Sequence, residues 1–278
     1  MPVNVRQSGE VKRITSLTNP LVKEIRGLAL AKNRKARGLF VAEGLKLVAD
    51  ALERNWTIRT LVHSDRVANE ALVRRLSNRT NSQGGQVLEV SEAVLGKITR
   101  RDNPQTVIGV FEQRLTPLND IRPSEDDVWV GLESVRDPGN LGTILRTIDA
   151  VGAKGAILIG KTVDPFSLEA VRATMGSIFN VEIARAEESE FAGLANRWPG
   201  TIVGTHLSGA LDYRAVAYRP PGLLLMGREQ SGLSRAAAES CSMLVKIPMA
   251  GRADSLNLAV ATGIMLFEIA RDRLALNG

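Results

Sequence analysis

Several residue types that often build catalytic or structural sites are scarce in this sequence. A single cysteine, Cys241, excludes a disulfide within the chain. The two histidines, His63 and His206, have no metal-ligand partner at useful spacing, so we predict no metal site. No run of about 18 consecutive apolar residues is present, so we expect no membrane-spanning segment. Aromatic residues make up only 4% of the chain, so broad aromatic stacking surfaces are not expected.

The N-terminal sequence and the single cysteine predict the cellular compartment. The first residues, MPVNVRQSGEVKRITSL, lack the apolar centre and the cleavage site of a secretory signal. Together with the lone cysteine, this predicts a cytoplasmic protein. Cys241 precedes an apolar, strand-like run in ESCSMLVKIPM, which favours a small buried residue over a catalytic thiol.

Positive charge is present in excess, and it is unevenly placed. The net charge of the chain is +6, but residues 1–113 hold 19 Lys and Arg against 11 Asp and Glu, whereas residues 114–278 hold 17 against 19. Such asymmetry is typical of a protein that binds a polyanion, because neutralised phosphates release their counterions. A basic face that serves only solubility is the alternative.

Alternating apolar runs predict two α/β domains. In residues 1–113, short strand-like runs such as GLFVAEG and TVIGVFEQR alternate with helical periods, which indicates a small α/β domain. Residues 114–126, RLTPLNDIRPSED, contain two prolines and no apolar period, and we interpret them as a linker. Beyond it, runs such as VWVGLESV, GAILIG and GLLLMG alternate with helices, which is typical of a parallel sheet covered on both faces.

Three polar, glycine-containing loops follow strands of the second domain. Ligands bind at the carboxyl ends of parallel strands, so these loops are the candidate site. In RDPGNLGTILRT we expect Asn140 to cap a helix and Arg146 to lie off its apolar stripe, as a phosphate clamp or simply a solvated cation. GLLLMGREQSGLS places Glu229 between Gly227 and Gly232, without any dinucleotide fingerprint.

The third loop opens the last helix. In VKIPMAGRADSLNLAVATGIMLFEIARDRL, we expect Asp254 or Ser255 to cap a helix of about twenty residues that is apolar on all sides. Asn257 inside such a helix would be a buried polar group that needs a partner.

In this order and spacing, the three motifs resemble those of the SpoU/TrmH family of RNA ribose 2'-O-methyltransferases. The resemblance covers residues 128–274, and the segment from ITSLTNPLVKEIR to VIGV resembles that family's RNA substrate-binding domain, a small ribosomal-protein-like α/β fold. It implies the SPOUT architecture, an α/β domain with a parallel sheet and a trefoil knot, S-adenosylmethionine held by the knot, and a homodimer with the active site near the interface. The predicted domains are then residues 1–113 for RNA substrate binding, 114–126 as linker and 127–278 as the SPOUT methyltransferase domain.

The resemblance also implies site residues. The catalytic set is Asn140, Arg146, Glu229, Ser255 and Asn257. The S-adenosylmethionine set is Thr205, Met226, Gly227, Gly232, Ile247, Met249, Ser255 and Leu256. One departure is that Ala259 stands where the family more often has a second serine; we expect no effect on chemistry.

Methyl transfer to a ribose 2'-hydroxyl requires that the hydroxyl proton leave. Arginine stays protonated in proteins, so we interpret Arg146 as a clamp on phosphate and ribose, with the proton passing to a phosphate oxygen or to water; a deprotonated arginine is the less favoured option. Asn140 and Asn257 would orient the hydroxyl, and Ser255 would cap its helix and touch the substrate or Asn257. Glu229 would be an ion-pair partner of Arg146 or of its loop, in a structural role at least as much as a chemical one.

The run KNRKARG adds a candidate RNA contact. It places Lys32, Arg34, Lys35 and Arg37 within six residues, and beside the motif set we interpret them as phosphate contacts rather than a solvated face. We expect a structured RNA, ribosomal rather than transfer RNA by analogy with the family. The alternatives are a non-catalytic RNA-binding or ribosome-assembly protein with the same fold, and an α/β enzyme that uses another adenine-containing cofactor.

Overall fold

The computed structural model describes residues 11–206 and 211–274. These residues divide into two compact units. The first consists of residues 11–113 and Phe166–Phe179, and the second consists of Arg114–Pro165, 180–206 and 211–274. None of the helices in the described ranges is both long and apolar enough to cross a membrane.

The first unit is built on a five-stranded mixed sheet. Its strands are β1 (Val11–Ile14), β2 (Leu39–Glu43), β3 (Ile58–Ser64), β4 (Gln86–Val90) and β5 (Val107–Glu112), in the order β1-β4-β3-β5-β2. β4 pairs in parallel with β1 and β3, whereas β5 pairs antiparallel with β2 and β3. The helices are α1 (Pro20–Gly27), α2 (Ala31–Arg37), α3 (Leu45–Glu53), α4 (Ala71–Ser82) and α5 (Glu92–Thr99), with a 3-10 turn at Asp65–Val67.

Buried aromatic rings explain why Phe166–Phe179 belongs to this unit. Phe166 and Phe179, at the two ends of the segment, pack on Phe40 with ring centroids 4.9 and 6.0 Å away. The indole Nε1–H of Trp56 donates a hydrogen bond to the Phe179 carbonyl oxygen at 3.0 Å. Few aromatics are present in the chain, and these form a core rather than a ligand surface.

The second unit is a seven-stranded sheet with every pairing parallel, as the sequence predicts. The strand order is β10-β12-β9-β11-β6-β7-β8. The strands are β6 (Val128–Glu133), β7 (Gly155–Ile159), β8 (Glu182–Ala186), β9 (Ile202–Thr205), β10 (Leu211–Asp212), β11 (Gly222–Met226) and β12 (Met243–Lys246).

Five helices, α6 to α10, and three short 3-10 turns complete the described chain. The helices of the second unit are α6 (Pro138–Ala150), α8 (Glu188–Ala195), α9 (Arg235–Glu239) and α10 (Leu258–Ile269). The helix α7 (Leu168–Ala173) lies in the segment that joins the first unit, and 3-10 turns occupy Leu118–Asp120, Ser177–Phe179 and Arg271–Arg273. α10 packs against α6.

The segment predicted as a linker is part of the second unit. Ile121 is buried in the same core cluster as Trp129 and Leu223, and Leu118 packs against that cluster. The backbone N–H of Thr116 donates to the carbonyl of Ile183 at 2.8 Å. Two isolated apolar side chains anchor a stretch that lacks any apolar period, so the sequence pattern failed to indicate this packing.

Two predicted helix starts are wrong. α6 begins at Pro138 and is capped by Asp137, whose carboxylate accepts the backbone N–H of Asn140 at 2.6 Å. α10 begins at Leu258 and is capped by Asn257, whose Oδ1 accepts the N–H groups of Ala259 and Val260. Neither Asp254 nor Ser255 caps it, and the helix has 12 residues. Several residues near each start have cap chemistry, and only the backbone path decides which one is used.

Candidate functional site

The carboxyl ends of three neighbouring strands, β12, β9 and β11, meet at one cavity. β12, β9, β11 and β6 are adjacent in the sheet, and the loops that follow the first three contribute its walls. The cavity has a volume of about 280 Å³. It is lined by all eight residues proposed for the cofactor, namely Thr205, Met226, Gly227, Gly232, Ile247, Met249, Ser255 and Leu256.

Seven further lining residues were not predicted. They are His206, Arg228, Gln230, Lys246, Asp254, Leu258 and Ala261. Lys246 ends a strand, and Arg228 lies within the second motif, so their positions at the sheet edge are a signal that the sequence analysis left unused. The mixture of apolar walls with cationic and anionic rims suits a ligand that is apolar at one end and zwitterionic at the other.

Glycine is required at both ends of the loop after β11. Arg228 and Gly232 exchange two backbone hydrogen bonds of 3.0 Å, which close the loop, and Gly232 has a φ of +68°. A Cβ at Gly227 would lie 2.0 Å from the carbonyl carbon of Gly232. The clash would be with backbone atoms, so no side-chain rotation could relieve it. The cavity wall therefore depends on the close approach of the Gly227 and Gly232 backbones.

A buried carboxylate contacts the residues on both sides of the same loop. Glu133, at the end of β6, has a side chain only 2% exposed. Its Oε2 accepts the backbone N–H of Ser234 at 2.8 Å, and its Oε1 lies 3.6 Å from Nη2 of Arg228. Oε1 accepts no hydrogen bond. The positive charge of Arg228 is therefore the main interaction that offsets the cost of burying this carboxylate oxygen. Glu133 therefore holds both ends of the loop, as a positioning residue that the sequence analysis missed.

We expect Glu133→Gln to weaken S-adenosylmethionine binding about tenfold, which corresponds to about 1.4 kcal/mol, because it removes the charge that orients Arg228. Calorimetric titration of the cofactor measures this, with a thermal melt as a check of folding. Glu239→Gln removes the same charge from an exposed pair with Arg235 and should change neither quantity. Equal effects of the two substitutions would contradict the positioning role.

Three of the five proposed catalytic side chains form a chain of contacts. Asn257 Nδ2 donates to Asn140 Oδ1 at 2.9 Å, and Asn140 Nδ2 lies 3.5 Å from Glu229 Oε1. Asp137 performs the capping expected of Asn140, which leaves the Asn140 amide free for this contact. Asn257 is exposed, and not buried within a helix as expected. Its Oδ1 accepts the backbone N–H that it caps, while its Nδ2 donates to Asn140. The two amides present mixed donor and acceptor groups beside Glu229, which lines the cavity.

Arg146 and Ser255 stand apart from that chain of contacts. Arg146 is exposed on α6, off the apolar stripe as predicted, and makes no hydrogen bond or ion pair with any residue that the structure describes. The expected ion pair between Glu229 and Arg146 is therefore absent from the described residues, and Glu229 faces Asn140 instead. Ser255 is exposed and lines the cavity.

The basic run proposed to contact RNA lies on α2, whose helical turn exposes some of its side chains and buries one. Lys32 and Lys35 are exposed, and Arg37 pairs with Glu24. Arg34 is only 3% exposed, and its Nη1 donates to the carbonyls of Leu28 and Ala29 at 2.8 and 2.9 Å. A phosphate contact by Arg34 is thus wrong, because its guanidinium satisfies the carbonyl groups that follow α1.

The lone cysteine does not join the site. Cys241 Sγ–H donates to the carbonyl of Ala237 at 3.3 Å, and burial raises the pKa of its thiol to about 12. The thiol is therefore protonated at neutral pH, which agrees with the structural interpretation.

Comparison with known proteins covers both units. Residues 127–267 match the model of the SpoU rRNA Methylase family, and residues 19–109 match an MRM3-like substrate binding domain. The chain is 32% identical to the 23S rRNA (uridine(2479)-2'-O)-methyltransferase of Streptomyces viridochromogenes, over 95% of this chain and 93% of that protein. It is 27% identical to a 23S rRNA (guanosine(2553)-2'-O)-methyltransferase of Bacillus subtilis, over 93% of this chain and 99% of that protein.

Solved structures give the same result. An AdoMet-bound rRNA methyltransferase from Sinorhizobium meliloti is similar with a TM-score of 0.92 and 54% identity, covering 96% of this chain and 100% of that chain. A SpoU methyltransferase from Streptomyces viridochromogenes in complex with AdoMet is similar with a TM-score of 0.79 and 30% identity, covering 92% and 98%.

Proposed function

The chain belongs to the SpoU rRNA methylase family, and from that premise we propose that it methylates a ribose 2'-hydroxyl of 23S ribosomal RNA with S-adenosylmethionine as methyl donor. The observation that carries the proposal is that the second and third motifs line one cavity at the sheet edge, and that Asn140 of the first motif contacts both of them through Glu229 and Asn257. Curated relatives act on a uridine and on a guanosine of the same rRNA, so the RNA rather than the base is what we carry over. The non-catalytic alternative is not favoured.

The cavity fits the cofactor chemically. Met226, Ile247 and Leu256 offer apolar walls for an adenine ring. Arg228 and Lys246 provide cationic groups for a carboxylate, and Asp254 provides an anionic group for the amino and sulfonium charges. When bound there, S-adenosylmethionine supplies a methyl group that is electrophilic because it is attached to a sulfonium.

Three of the side chains implied to be catalytic would position the RNA. We propose that Arg146, which has no partner among the described residues, clamps the phosphate and ribose of the target nucleotide. The paired amides of Asn140 and Asn257 would orient the 2'-hydroxyl. As the ribose oxygen bonds to the methyl carbon, the hydroxyl proton would pass to a phosphate oxygen or to water, since a guanidinium keeps its own proton.

The decisive experiment is a transfer assay. The purified chain is incubated with methyl-labelled S-adenosylmethionine and with 23S rRNA transcribed without modifications, and the labelled product is hydrolysed with alkali. A labelled dinucleotide that resists hydrolysis is expected, because a 2'-O-methyl group removes the nucleophile that cleaves RNA. Cofactor binding without any transfer to 23S rRNA, but with transfer to tRNA, would contradict the proposed substrate.

We also propose a homodimer, whose interface includes one face of α10. Val260 and Phe267 are 51% and 52% exposed, and Ile264 lies between them at helical spacing. An exposed apolar stripe of this kind is typical of a helix that packs against a partner. Asn257 caps the same helix one turn before Val260, so this interface would adjoin the site.

Phe267→Glu should convert the dimer to a monomer at micromolar concentration, because it buries a carboxylate in an apolar interface. Sedimentation velocity measures the change. Leu115→Glu introduces the same carboxylate at another exposed apolar position of this unit and should leave the dimer intact. A wild-type chain that sediments as a monomer would overturn the proposed dimer.

Two further properties follow from the proposal. An rRNA substrate favours a cytoplasmic location. The trefoil knot implied by the family stays a prediction, and it is compatible with a cavity whose walls come from the segments after β9, β11 and β12.

A further inference from the structure

The first unit contains a second cavity, which the proposed chemistry does not use. Its volume is about 700 Å³, and we name it the Glu43 cavity. One wall comes from the end of β2 and the start of α3, and the other from α7 and the residue that follows it at 175. Arg101 and Gln105 line the remaining side.

A buried carboxylate organises the cationic groups of the Glu43 cavity. The Glu43 side chain is only 3% exposed. Its Oε1 accepts a hydrogen bond from Nη2 of Arg172 at 2.6 Å, and its Oε2 lies 3.7 Å from Nε of Arg101. Arg172 Nη2 also donates to the carbonyl of Thr99 at 2.8 Å. The two guanidinium groups are thereby held in place, and exposed Lys46 adds a third cation to the lining.

The opposite wall is apolar and conformationally strained. Met175 has a φ of +51°, in the left-handed region that side chains rarely adopt, and is 72% exposed. Val171 of α7 adds to this apolar wall, and Leu45 and Leu47 at the start of α3 face the cavity from the other wall. Strain of this kind persists where a residue has to be held in a particular position, and an exposed thioether can pack against an aromatic ring.

We propose that the Glu43 cavity binds one nucleotide from a single-stranded part of the RNA substrate. Lys46 and Arg101 contact its flanking phosphates, and Met175 with the guanidinium of Arg172 contacts the face of its base. Unpaired bases are recognised by stacking on planar or apolar side chains combined with backbone phosphate contacts, whereas duplex RNA offers its bases no access to such a cavity. The inference rests on the proposed RNA substrate, but it assigns a binding site separate from the methyl-transfer cavity.

The test uses the full chain and a fluorescein-labelled single-stranded RNA of mixed sequence, about 12 nucleotides long. Anisotropy titrations at several salt concentrations compare Lys46→Gln/Arg101→Gln with Lys23→Gln/Arg75→Gln. The second pair removes the same charge from exposed positions of the same unit that do not line the cavity. We expect the first pair to weaken binding about tenfold and to reduce the slope of log affinity against log salt by about 1.4, at about 0.7 per phosphate, and the second pair to change affinity less than about twofold.

Met175→Ser tests the proposed contact with the base separately from the phosphate contacts. We expect it to weaken RNA binding about fivefold or more without altering the salt slope, because a contact with the base face carries no counterion release. All variants should bind S-adenosylmethionine and melt as the wild type does.

Equal losses from the two double substitutions would overturn the inference, because they would indicate a diffuse positive field. Displacement of the RNA by uridine monophosphate at RNA-like concentrations would also overturn it, by pointing to free nucleotides as the ligand. If all variants bind RNA equally while the wild type methylates 23S rRNA, only this inference fails. If the wild type binds no RNA and methylates none, the proposed function fails with it.

Discussion

Arg146→Ala is expected to lower the rate of methyl transfer to RNA about a thousandfold while leaving S-adenosylmethionine affinity unchanged. Arg146 is exposed, does not line the cofactor cavity and has no partner among the described residues, so its removal costs the fold nothing that the structure shows. What is lost is the cation proposed to hold the phosphate and ribose where the hydroxyl reacts. Arg146→Lys should recover only part of the rate, because an ammonium group lacks the planar two-pronged donor geometry.

Single-turnover transfer with excess enzyme measures the rate, and calorimetry measures the cofactor affinity. Arg235→Ala, which removes an exposed arginine from another helix of the same unit, is the matched control and should transfer methyl at the wild-type rate. Full activity of Arg146→Ala would remove Arg146 from the mechanism. A loss of cofactor affinity in the same variant would show that it acts on the cavity and not on the RNA.

Gly227→Ala should abolish measurable cofactor binding, with an affinity at least about a hundredfold lower, and should reduce the free energy of unfolding by about 1–3 kcal/mol. The new methyl group would lie 2.0 Å from the carbonyl carbon of Gly232 and 2.1 Å from the nitrogen of Leu233. Relief requires the loop to open, which breaks the paired hydrogen bonds between Arg228 and Gly232 that shape the cavity.

Gly251→Ala is the matched control, because a Cβ at Gly251 meets nothing within 4 Å and its backbone is not left-handed. Calorimetric titration and thermal melts of the two variants form one comparison. Retention of cofactor affinity in Gly227→Ala would mean that the loop can open without harm to the site, contrary to the close approach seen here.

Asn140 and Asn257 show how much of the candidate site the sequence predicts. The family resemblance implies that Asn140 and Asn257 belong to one site, and the structure places them in contact, hydrogen bonded at 2.9 Å. The sequence did not predict their roles, because cap assignment depends on where the chain turns into the helix. Asp137 caps α6 and Asn257 caps α10, each two or three residues away from the expected position. Capping by Asp137 leaves the Asn140 amide available to Asn257, whose Oδ1 caps α10 while its Nδ2 donates to Asn140.

The basic residues illustrate the opposite case. A run of four cations in KNRKARG predicted one RNA-binding surface, but helical geometry turns Arg34 into the protein. Arg101 and Arg172 are far apart in sequence and belong to no recognisable run, yet the same buried carboxylate of Glu43 lies beside both. A linear pattern detects charge density, whereas a pocket requires charges that the fold brings together.

The sequence by itself determined the strand and helix alternation, the parallel sheet of the second unit and the three loops of the site. These features are local: apolar period, turn residues and chain order specify them, and parallel strands bring their carboxyl ends to one edge. Only the tertiary structure decided that Phe166–Phe179 joins the first unit, that Glu133 lies beneath the loop at Gly227–Gly232, and that Glu43 organises a second cavity. Each of these depends on a contact between residues distant in sequence, whose energy comes from burial and pairing that no local pattern encodes.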